Sequence, residues 1–242
     1  MSRDEWRKTR VSSIRNLQHA NTGNLGDIVK HAALVEAMDD VQRRAGDAPI
    51  NCIDTHTFLA ETALANSSWR GDVERVRREL GPKLTRLDMY ARLQEPWVAR
   101  SQYLGSARIA LEKLAGQAVY ALAEEDPITR ETLEQQVVQL GLKNVHIAKQ
   151  YEDWIEAFPL KPGPVVMLVD PFELGDDAWA QLMTNVWFIL GRARAKHAPA
   201  TLVVYAHCKN GQPTLAPPPT GFSRWDVVGP VDDKHCVLRT RI

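Results

Sequence analysis

Short apolar runs alternate with amphipathic stretches along most of the chain. The apolar runs have the length and composition of buried strands and cover residues 48–54, 117–127, 143–149, 164–171 and 200–207. Helical patterns lie between them at residues 128–142, 151–158 and 176–196. Alternation of strands and helices at this spacing predicts the α/β class, with a mostly parallel sheet covered by helices on both faces.

Two further segments of the chain add detail to the predicted fold. After the fifth strand, two β-rich runs flank the sequence Gly-Pro-Val-Asp-Asp at residues 229–233, which indicates a hairpin. Five parallel strands followed by a hairpin resemble the seven-stranded, Rossmann-like class I fold of S-adenosylmethionine (SAM) methyltransferases. Residues 61–101 carry two further helix patterns and are interpreted as a small helical insertion after strand one, within a single domain spanning residues 1–242.

Charge and cysteine content restrict the classes of partner. Thirty Lys and Arg residues balance thirty Asp and Glu residues, so no global positive field indicates a nucleic-acid partner, although a local basic face is compatible with the total. Three cysteines form no disulfide framework and fit a reducing compartment. The N-terminus is charged and lacks the apolar core of a secretion signal, and no apolar run approaches the roughly 20 residues of a membrane span. We therefore expect a cytoplasmic protein without a membrane partner.

Polar residues follow the predicted strands at the edge where such sheets bind ligands. Asp54 and His56 follow the first strand, and Glu124 follows the second. A carboxylate in the position of Glu124 can accept hydrogen bonds from both hydroxyls of a ribose. It can equally be an acid that complements the dipole of the next helix, and the position fits both interpretations.

The fourth strand ends in Asp170-Pro171-Phe172. An aromatic amine is a poor nucleophile because its lone pair is delocalised into the ring. Hydrogen bonds from its two N–H groups to the Asp170 carboxylate and the Pro171 carbonyl would free the lone pair, and alignment with a methyl donor would supply most of the remaining rate. The alternative is an aspartate that caps the turn after the strand.

Two further groups of polar residues are candidates for binding sites. Asp27, Lys30 and His31 are spaced i, i+3 and i+4 on a predicted helix, so they share one face, which suits an anionic or carboxylate ligand or else forms a solvated surface. The pairs His207-Cys208 and His235-Cys236 consist of residue types that bind metals. Neighbouring residues on a strand point to opposite faces, so each pair offers one ligand per side, and no metal is expected.

These motifs together resemble the bacterial large-subunit (23S) ribosomal RNA adenine-N6 methyltransferases of the RlmJ type, from about residue 14 to residue 206. The matching segments are Gly23-Asn24 with Asp27, Lys30 and His31, then Asp54-Thr55-His56, Tyr103-Leu104-Gly105-Ser106, Glu124, and Asp170-Pro171. The resemblance implies SAM as the cofactor, bound by Lys30, His31, His56, Ser106 and Glu124. It also implies that Asp170, Pro171 and Phe172 face the target amine.

Three segments depart from the pattern of that family. The family has Ala-Gly-x-Gly after Asp-Thr-His, whereas this chain has Thr57-Phe58-Leu59-Ala60, so the close backbone approach to SAM is obstructed or remodelled. Lys149-Gln150 replace an Asp-Gly near the adenine of SAM, and Phe172-Glu173 replace the Pro-Tyr of the catalytic loop.

Two functions are consistent with this sequence. The first is SAM-dependent N-methyl transfer to an amino nitrogen, either adenine N6 in RNA or a smaller amine, and the acid at Glu173 favours the smaller amine because it would repel an RNA backbone. The second is a methyltransferase fold that has lost methyl transfer, which binds SAM or a nucleotide as a regulatory or partner subunit or runs a different SAM-dependent reaction. The retained polar residues favour the first function and the lost glycines favour the second. The sequence does not indicate an oligomeric state.

Overall fold

The computed structural model describes residues 18–151, 160–171, 176–209, 212–231 and 235–241. The helices are α1 Leu25–Ala45, α2 Trp69–Leu80, α3 Leu87–Val98, α4 Ser106–Leu114, α5 Pro127–Gln139 and α6 Asp176–Ala195. The strands are β1 Ile50–Asp54, β2 Glu61–Ala63, β3 Gln102–Leu104, β4 Ala118–Ala123, β5 Val145–Ala148, β6 Val165–Val169, β7 Ala200–Lys209, β8 Gln212–Pro213, β9 Asp226–Pro230 and β10 His235–Arg241. All five predicted strands are confirmed, as are the helices predicted at 128–142 and 176–196. The helix predicted at 151–158 lies almost entirely outside the described residues.

The main sheet has the strand order β5-β4-β1-β6-β7-β10-β9. The first five of these strands are parallel, and β10 runs antiparallel to both β7 and β9. Strands β9 and β10 form the predicted hairpin at this edge. This arrangement confirms the class I SAM-methyltransferase fold. The chain moves outward from β1 through β4 to β5 and then returns to β6 beside β1, so strand order reverses between β1 and β6. Ligands of doubly wound sheets bind at such a reversal, beyond the carboxyl ends of the strands.

Two apolar layers cover the central strands and explain why β1 and β6 are buried along their whole length. On one face, Cys52 and Val166 belong to a core that includes the apolar side of α1 and α4. On the other face, Ile53 and Met167 belong to a core built with α6. The period of two along each strand sends alternate side chains into the two layers. Within the described ranges, no helix is long and apolar enough to cross a membrane.

Residues 61–101 leave the sheet and return to it through a short antiparallel pair. In this pair Glu61 lies opposite Leu104, and Ala63 lies opposite Gln102. Helices α2 and α3 lie between the two strands and pack against α1. The interpretation of this segment as an insertion within a single domain of residues 1–242 stays a prediction.

Candidate functional site

A cavity of about 410 Å³ opens where α1, β1, β6 and β7 meet. Six of the predicted site residues line it: Lys30, His31, His56, Ser106, Asp170 and Pro171. Glu124 is not part of this lining, and Phe172 lies outside the described residues. The fold therefore brings residues from four separate segments to one cavity, at the edge of the sheet where the carboxyl ends of the parallel strands meet.

The start of α1 holds Lys30 and His31 in place. Asn24 caps the helix, because its side-chain oxygen accepts a hydrogen bond from the Asp27 N–H at 2.9 Å, and Asp27 in turn accepts from the Gly23 N–H at 2.7 Å. A Cβ at Gly26 would lie 2.9 Å from the Tyr205 hydroxyl, so a larger residue there would displace the Tyr205 side chain from this turn. This packing points the next turn of α1 into the cavity.

Lys30 forms an ionic group with two acids. Its ammonium lies 2.7 Å from Asp27 Oδ1 and donates to Asp170 Oδ2. These side chains are only 13–19% exposed, so the alternative of a solvated helix face is wrong. Burial opposes the charge on Lys30, but Asp170 and Asp27 outweigh it and raise the lysine pKa. Burial raises the pKa of Asp170 despite Lys30, whereas in Asp27 the nearby Lys30 and His31 overcome burial and lower the pKa.

The end of β1 carries a second group, which is held by hydrogen bonds. Ser106, the first residue of α4, donates to Asp54 Oδ2 at 2.6 Å, and the His56 N–H donates to Asp54 Oδ1 at 3.2 Å. Burial raises the pKa of Asp54 to about 6 and lowers the pKa of His56 to about 4. At neutral pH, His56 is therefore an uncharged imidazole at the cavity wall.

Glu124 lies at the end of β4 and is 7% exposed. Its Oε1 accepts from the Asp126 N–H at 2.8 Å, and among the described residues no donor contacts its other oxygen. Burial raises the pKa of Glu124 to about 8. Asp126, rather than Glu124, caps α5, because its carboxylate accepts from the Ile128 N–H. The residue that caps this helix is therefore Asp126, and the alternative of Glu124 as an acid that complements the helix dipole stays open.

The segment Thr57–Ala60, where the sequence departs from the family pattern, is packed into the protein. The Thr57 N–H donates to the Ala123 carbonyl at 2.7 Å, which ties the segment to the end of β4. The Phe58 ring lines the cavity and meets His19 edge to face at 4.9 Å between ring centroids. A Cβ at Gly105 would lie 2.2 Å from the Leu59 carbonyl oxygen, so the close backbone approach in this region is between Leu59 and Gly105.

Tyr205 and His235 also line the cavity and were missed by sequence reasoning. Their rings stack at 5.4 Å with 13° between planes, and the Lys30 ammonium lies 5.6 Å from the Tyr205 centroid. Sequence reasoning lacked the pairing of β7 with β10. This pairing brings Tyr205 and His235, which are 30 positions apart in the chain, to the same edge of the sheet. In the part of the chain that the structure describes, no three metal-ligating side chains form a cluster.

Comparisons with known proteins extend these observations. No protein-family model and no curated protein matches the sequence. Protein LPL1258 from Legionella pneumophila, described as a member of the DUF519 family, is similar in structure with a TM-score of 0.59 and 14% identity over 91% of this chain and 85% of that chain. The putative methylase HI0767 from Haemophilus influenzae has a TM-score of 0.44 at 12% identity, over 88% of this chain and 87% of its own.

A third structure is SMU.1697c, a putative methyltransferase from Streptococcus mutans in complex with S-adenosylhomocysteine (SAH). Its TM-score is 0.43 at 10% identity, and the match covers 86% of this chain and 96% of that chain. Similarities at such low identity concern the fold and not the activity. The chain therefore shares the fold of LPL1258, and its strand order is that of the class I SAM-methyltransferase fold.

Proposed function

We propose that this protein is a SAM-dependent N-methyltransferase in which Asp170 receives the target amino group. One observation carries the proposal: the ends of β1 and β6 deliver a polar group and a buried carboxylate to the same cavity, at the reversal of strand order. In this fold that is the place where a ligand binds. The identity of the cofactor rests on the resemblance to the RlmJ-type family.

His56, Ser106 and Glu124 are the residues that would hold the cofactor from the β1 and β4 side, with Lys30 and His31 contributing from α1. Glu124 has one carboxylate oxygen bound to the Asp126 N–H and a second oxygen available to a ribose hydroxyl. Its raised pKa leaves it largely protonated at pH 7 without ligand. A diol that donates to the carboxylate favours the ionised form, so binding releases a proton.

Asp170 and Pro171 are the residues that would orient the acceptor. Lys30 bonds Asp170 Oδ2 and so holds the carboxylate in one orientation, which leaves Oδ1 to accept one N–H of the amine. The Pro171 carbonyl would accept the other N–H. The raised pKa of Asp170 suits it to take up the proton that the amine loses once it is methylated. SAM, when bound, supplies the activated methyl group.

The acceptor class in this proposal is an amino nitrogen of RNA adenine or of a smaller aromatic amine. A neutral aromatic amine fits best, because the benefit of two accepting oxygens is to localise a delocalised lone pair. Members of the RlmJ-type family act on ribosomal RNA, and this chain is proposed to be a divergent relative of them.

The second candidate is a protein that binds SAM or a nucleotide without transferring a methyl group. It is favoured by the Phe58 ring, which occupies the cavity wall where the family has a glycine-rich segment. The two candidates differ in turnover and not in the presence of a binding site.

Titration calorimetry with SAM and SAH tests the proposal, using wild type, Glu124→Gln and Asp170→Asn. Glu134→Gln and Asp47→Asn remove exposed acids and serve as matched controls. We expect micromolar binding, roughly tenfold weaker in Glu124→Gln because one good hydrogen bond to a carboxylate is lost, and less affected in Asp170→Asn. Absence of binding of both ligands by wild type would exclude the methyltransferase.

Methyl transfer is measured separately with labelled SAM and a panel of RNA and small aromatic amines. Incorporation by wild type that Asp170→Asn abolishes, while SAH affinity is retained, supports N-methyl transfer. Tight SAH binding without incorporation on any acceptor supports the second candidate.

A further inference from the structure

A chain of four buried side chains connects the segment 61–101 to the cavity. Trp69 Nε1–H donates to the Tyr90 hydroxyl at 3.3 Å, the hydroxyl oxygens of Tyr90 and Tyr103 are 2.9 Å apart, and Tyr103 Oη lies 2.9 Å from His31 Nδ1. All four residues are at most 4% exposed. Of the four, only His31 and Tyr103 line the cavity.

The protons in this chain have one arrangement that gives every donor an acceptor. The Trp69 indole can only donate, so its N–H occupies one lone pair of Tyr90. Among the described residues, the Tyr90 proton has no acceptor other than Tyr103. The Tyr103 proton must then go to His31 Nδ1, the remaining acceptor within reach.

The reverse arrangement leaves a buried donor without an acceptor. If His31 carried its proton on Nδ1 and donated to Tyr103, then Tyr103 would donate to Tyr90, and the Tyr90 proton would have no acceptor in the described part of the chain. A buried donor without an acceptor loses its hydration and gains nothing in return. Burial raises the pKa of both tyrosines, so each keeps its proton, and burial together with Lys30 lowers the pKa of His31 to about 3.

We infer that Tyr103, oriented by Tyr90 and Trp69, is a positioning residue that holds His31 as the neutral Nε2–H tautomer. The ring then presents a fixed hydrogen-bond donor to the cavity instead of an acceptor or a cation. Within the described residues nothing bonds to Nε2, so that donor is available to a ligand. The chemistry it recognises is an oxygen with a free lone pair, such as a carboxylate or a hydroxyl.

Nitrogen NMR tests the tautomer without any ligand. Protein labelled with ¹⁵N at histidine is recorded at pH 7, and the His31 resonances are assigned by their loss in His31→Ala. We expect wild type to show Nε2 protonated and Nδ1 unprotonated. Tyr103→Phe should populate the Nδ1–H form, because Nδ1 loses its donor. Tyr90→Phe is the matched control and should keep the wild-type tautomer, because the Tyr103 proton still has His31 as its acceptor.

A wild-type spectrum with a protonated Nδ1 would overturn the inference, as would a Tyr103→Phe spectrum identical to wild type. If Tyr103→Phe does not fold, the wild-type spectrum and the Tyr90→Phe spectrum still decide between the two proton arrangements.

The consequence for binding rests on the proposed function and is measured with SAH. Tyr103→Phe should weaken SAH roughly 3- to 10-fold, the value of one oriented hydrogen bond, and the double variant with His31→Ala should bind no more weakly than His31→Ala alone. Additive losses would show that Tyr103 acts by a route other than His31. If wild type does not bind SAH, the proposed function fails, while the NMR result still decides the tautomer.

Discussion

The acids at the cavity form two groups that are stabilised in different ways: an ionic side, Asp27 and Asp170, which lines the cavity, and a neutral side, Asp54 and Glu124, which lies behind the lining. At the end of β6, Asp170 shares the ammonium of Lys30 with Asp27, so two carboxylates and one cation neutralise each other in part. At the ends of β1 and β4, Asp54 and Glu124 have no Lys or Arg ion pair among the described residues and receive hydrogen bonds from neutral donors only. Burial consequently raises the pKa of Asp54 to about 6 and that of Glu124 to about 8.

This difference concerns how far each side is neutralised without a ligand. On the ionic side, one cation already balances part of the charge of two acids. On the neutral side, the raised pKa leaves Glu124 largely protonated at pH 7 until donors arrive, whereas Asp54, with a pKa of about 6, is largely ionised there and already accepts two hydrogen bonds. In the proposed function, the ionic side orients the acceptor and the neutral side responds to the cofactor.

Removing the cation should give the largest effect. Lys30→Met leaves the partly buried carboxylates of Asp27 and Asp170 without a cation and should lower the free energy of unfolding by about 3–5 kcal/mol at pH 7. The loss should shrink as the pH is lowered and the carboxylates become protonated, Asp170 before Asp27 because their pKa values are shifted in opposite directions. Urea denaturation measures both values. Arg75→Met breaks an exposed pair with Glu79 and should change stability by less than about 0.5 kcal/mol. Equal losses in the two variants would contradict the ionic side as described.

Gly105→Ala tests the close packing that supports the neutral side. The added Cβ would lie 2.2 Å from the Leu59 carbonyl oxygen, which cannot rotate away, so we expect a loss of about 2–3 kcal/mol. Gly71→Ala is the matched control, because its Cβ meets nothing within 4 Å and the residue lies inside α2. There we expect a gain of about 0.5–1 kcal/mol. Thermal denaturation monitored by circular dichroism distinguishes the two outcomes.

The pH dependence of stability tests the raised pKa of Glu124. Folding raises this pKa from 4.5 to about 8, so between these pH values the folded chain binds more protons than the unfolded chain. Stability therefore falls as pH rises through this window. Glu124→Gln removes the dependence and should be more stable relative to wild type at pH 9 than at pH 5, by on the order of 2 kcal/mol. Glu134→Gln, at an exposed position, should show no such difference. Parallel pH profiles for wild type and Glu124→Gln would refute the assignment.

Ser106→Ala should give the smallest effect. It removes the hydroxyl that donates to Asp54 Oδ2 at 2.6 Å, and we expect a loss of about 1 kcal/mol at pH 8, where Asp54 is ionised. At pH 5 the protonated acid is less dependent on a donor, so the loss should be smaller. Ser223→Ala, which removes a hydroxyl bonded to the neutral Thr240, should be independent of pH in this range. Chemical denaturation at the two pH values provides the comparison.

The fold was predictable because each strand is an apolar run of the right length, and parallel strand ends meet at one edge. That reasoning places Asp170 and His56 around one cavity without knowledge of any contact, whereas Ser106 was expected there only from the family resemblance. The polar face of α1 was ambiguous in sequence, because Lys30 can be read as solvated until Asp170, 140 residues away, is known to meet it.

Other features depend on pairings that no local pattern contains. His235 reaches the cavity because β10 pairs with β7 in one particular register, and the spacing of residues within each strand does not determine which strands are neighbours. The hydrogen bond between the Tyr90 and Tyr103 hydroxyls likewise depends on how α3 packs against α1. Phe172 and the chemistry expected of it stay predictions.

The antiparallel pair of β2 and β3 has a consequence for how this segment can vary. Ala63 and Gln102 lie opposite each other, so the chain between them begins and ends at almost the same point and its closure does not stretch the main sheet. A graft that exchanges this segment for another of different length would therefore leave strand register intact, since the entropic cost of closing a loop grows only slowly with its length. Such a graft would lose Trp69 and Tyr90, so the replacement segment would have to restore their share of the core around α1 as well as the hydrogen bond to Tyr103.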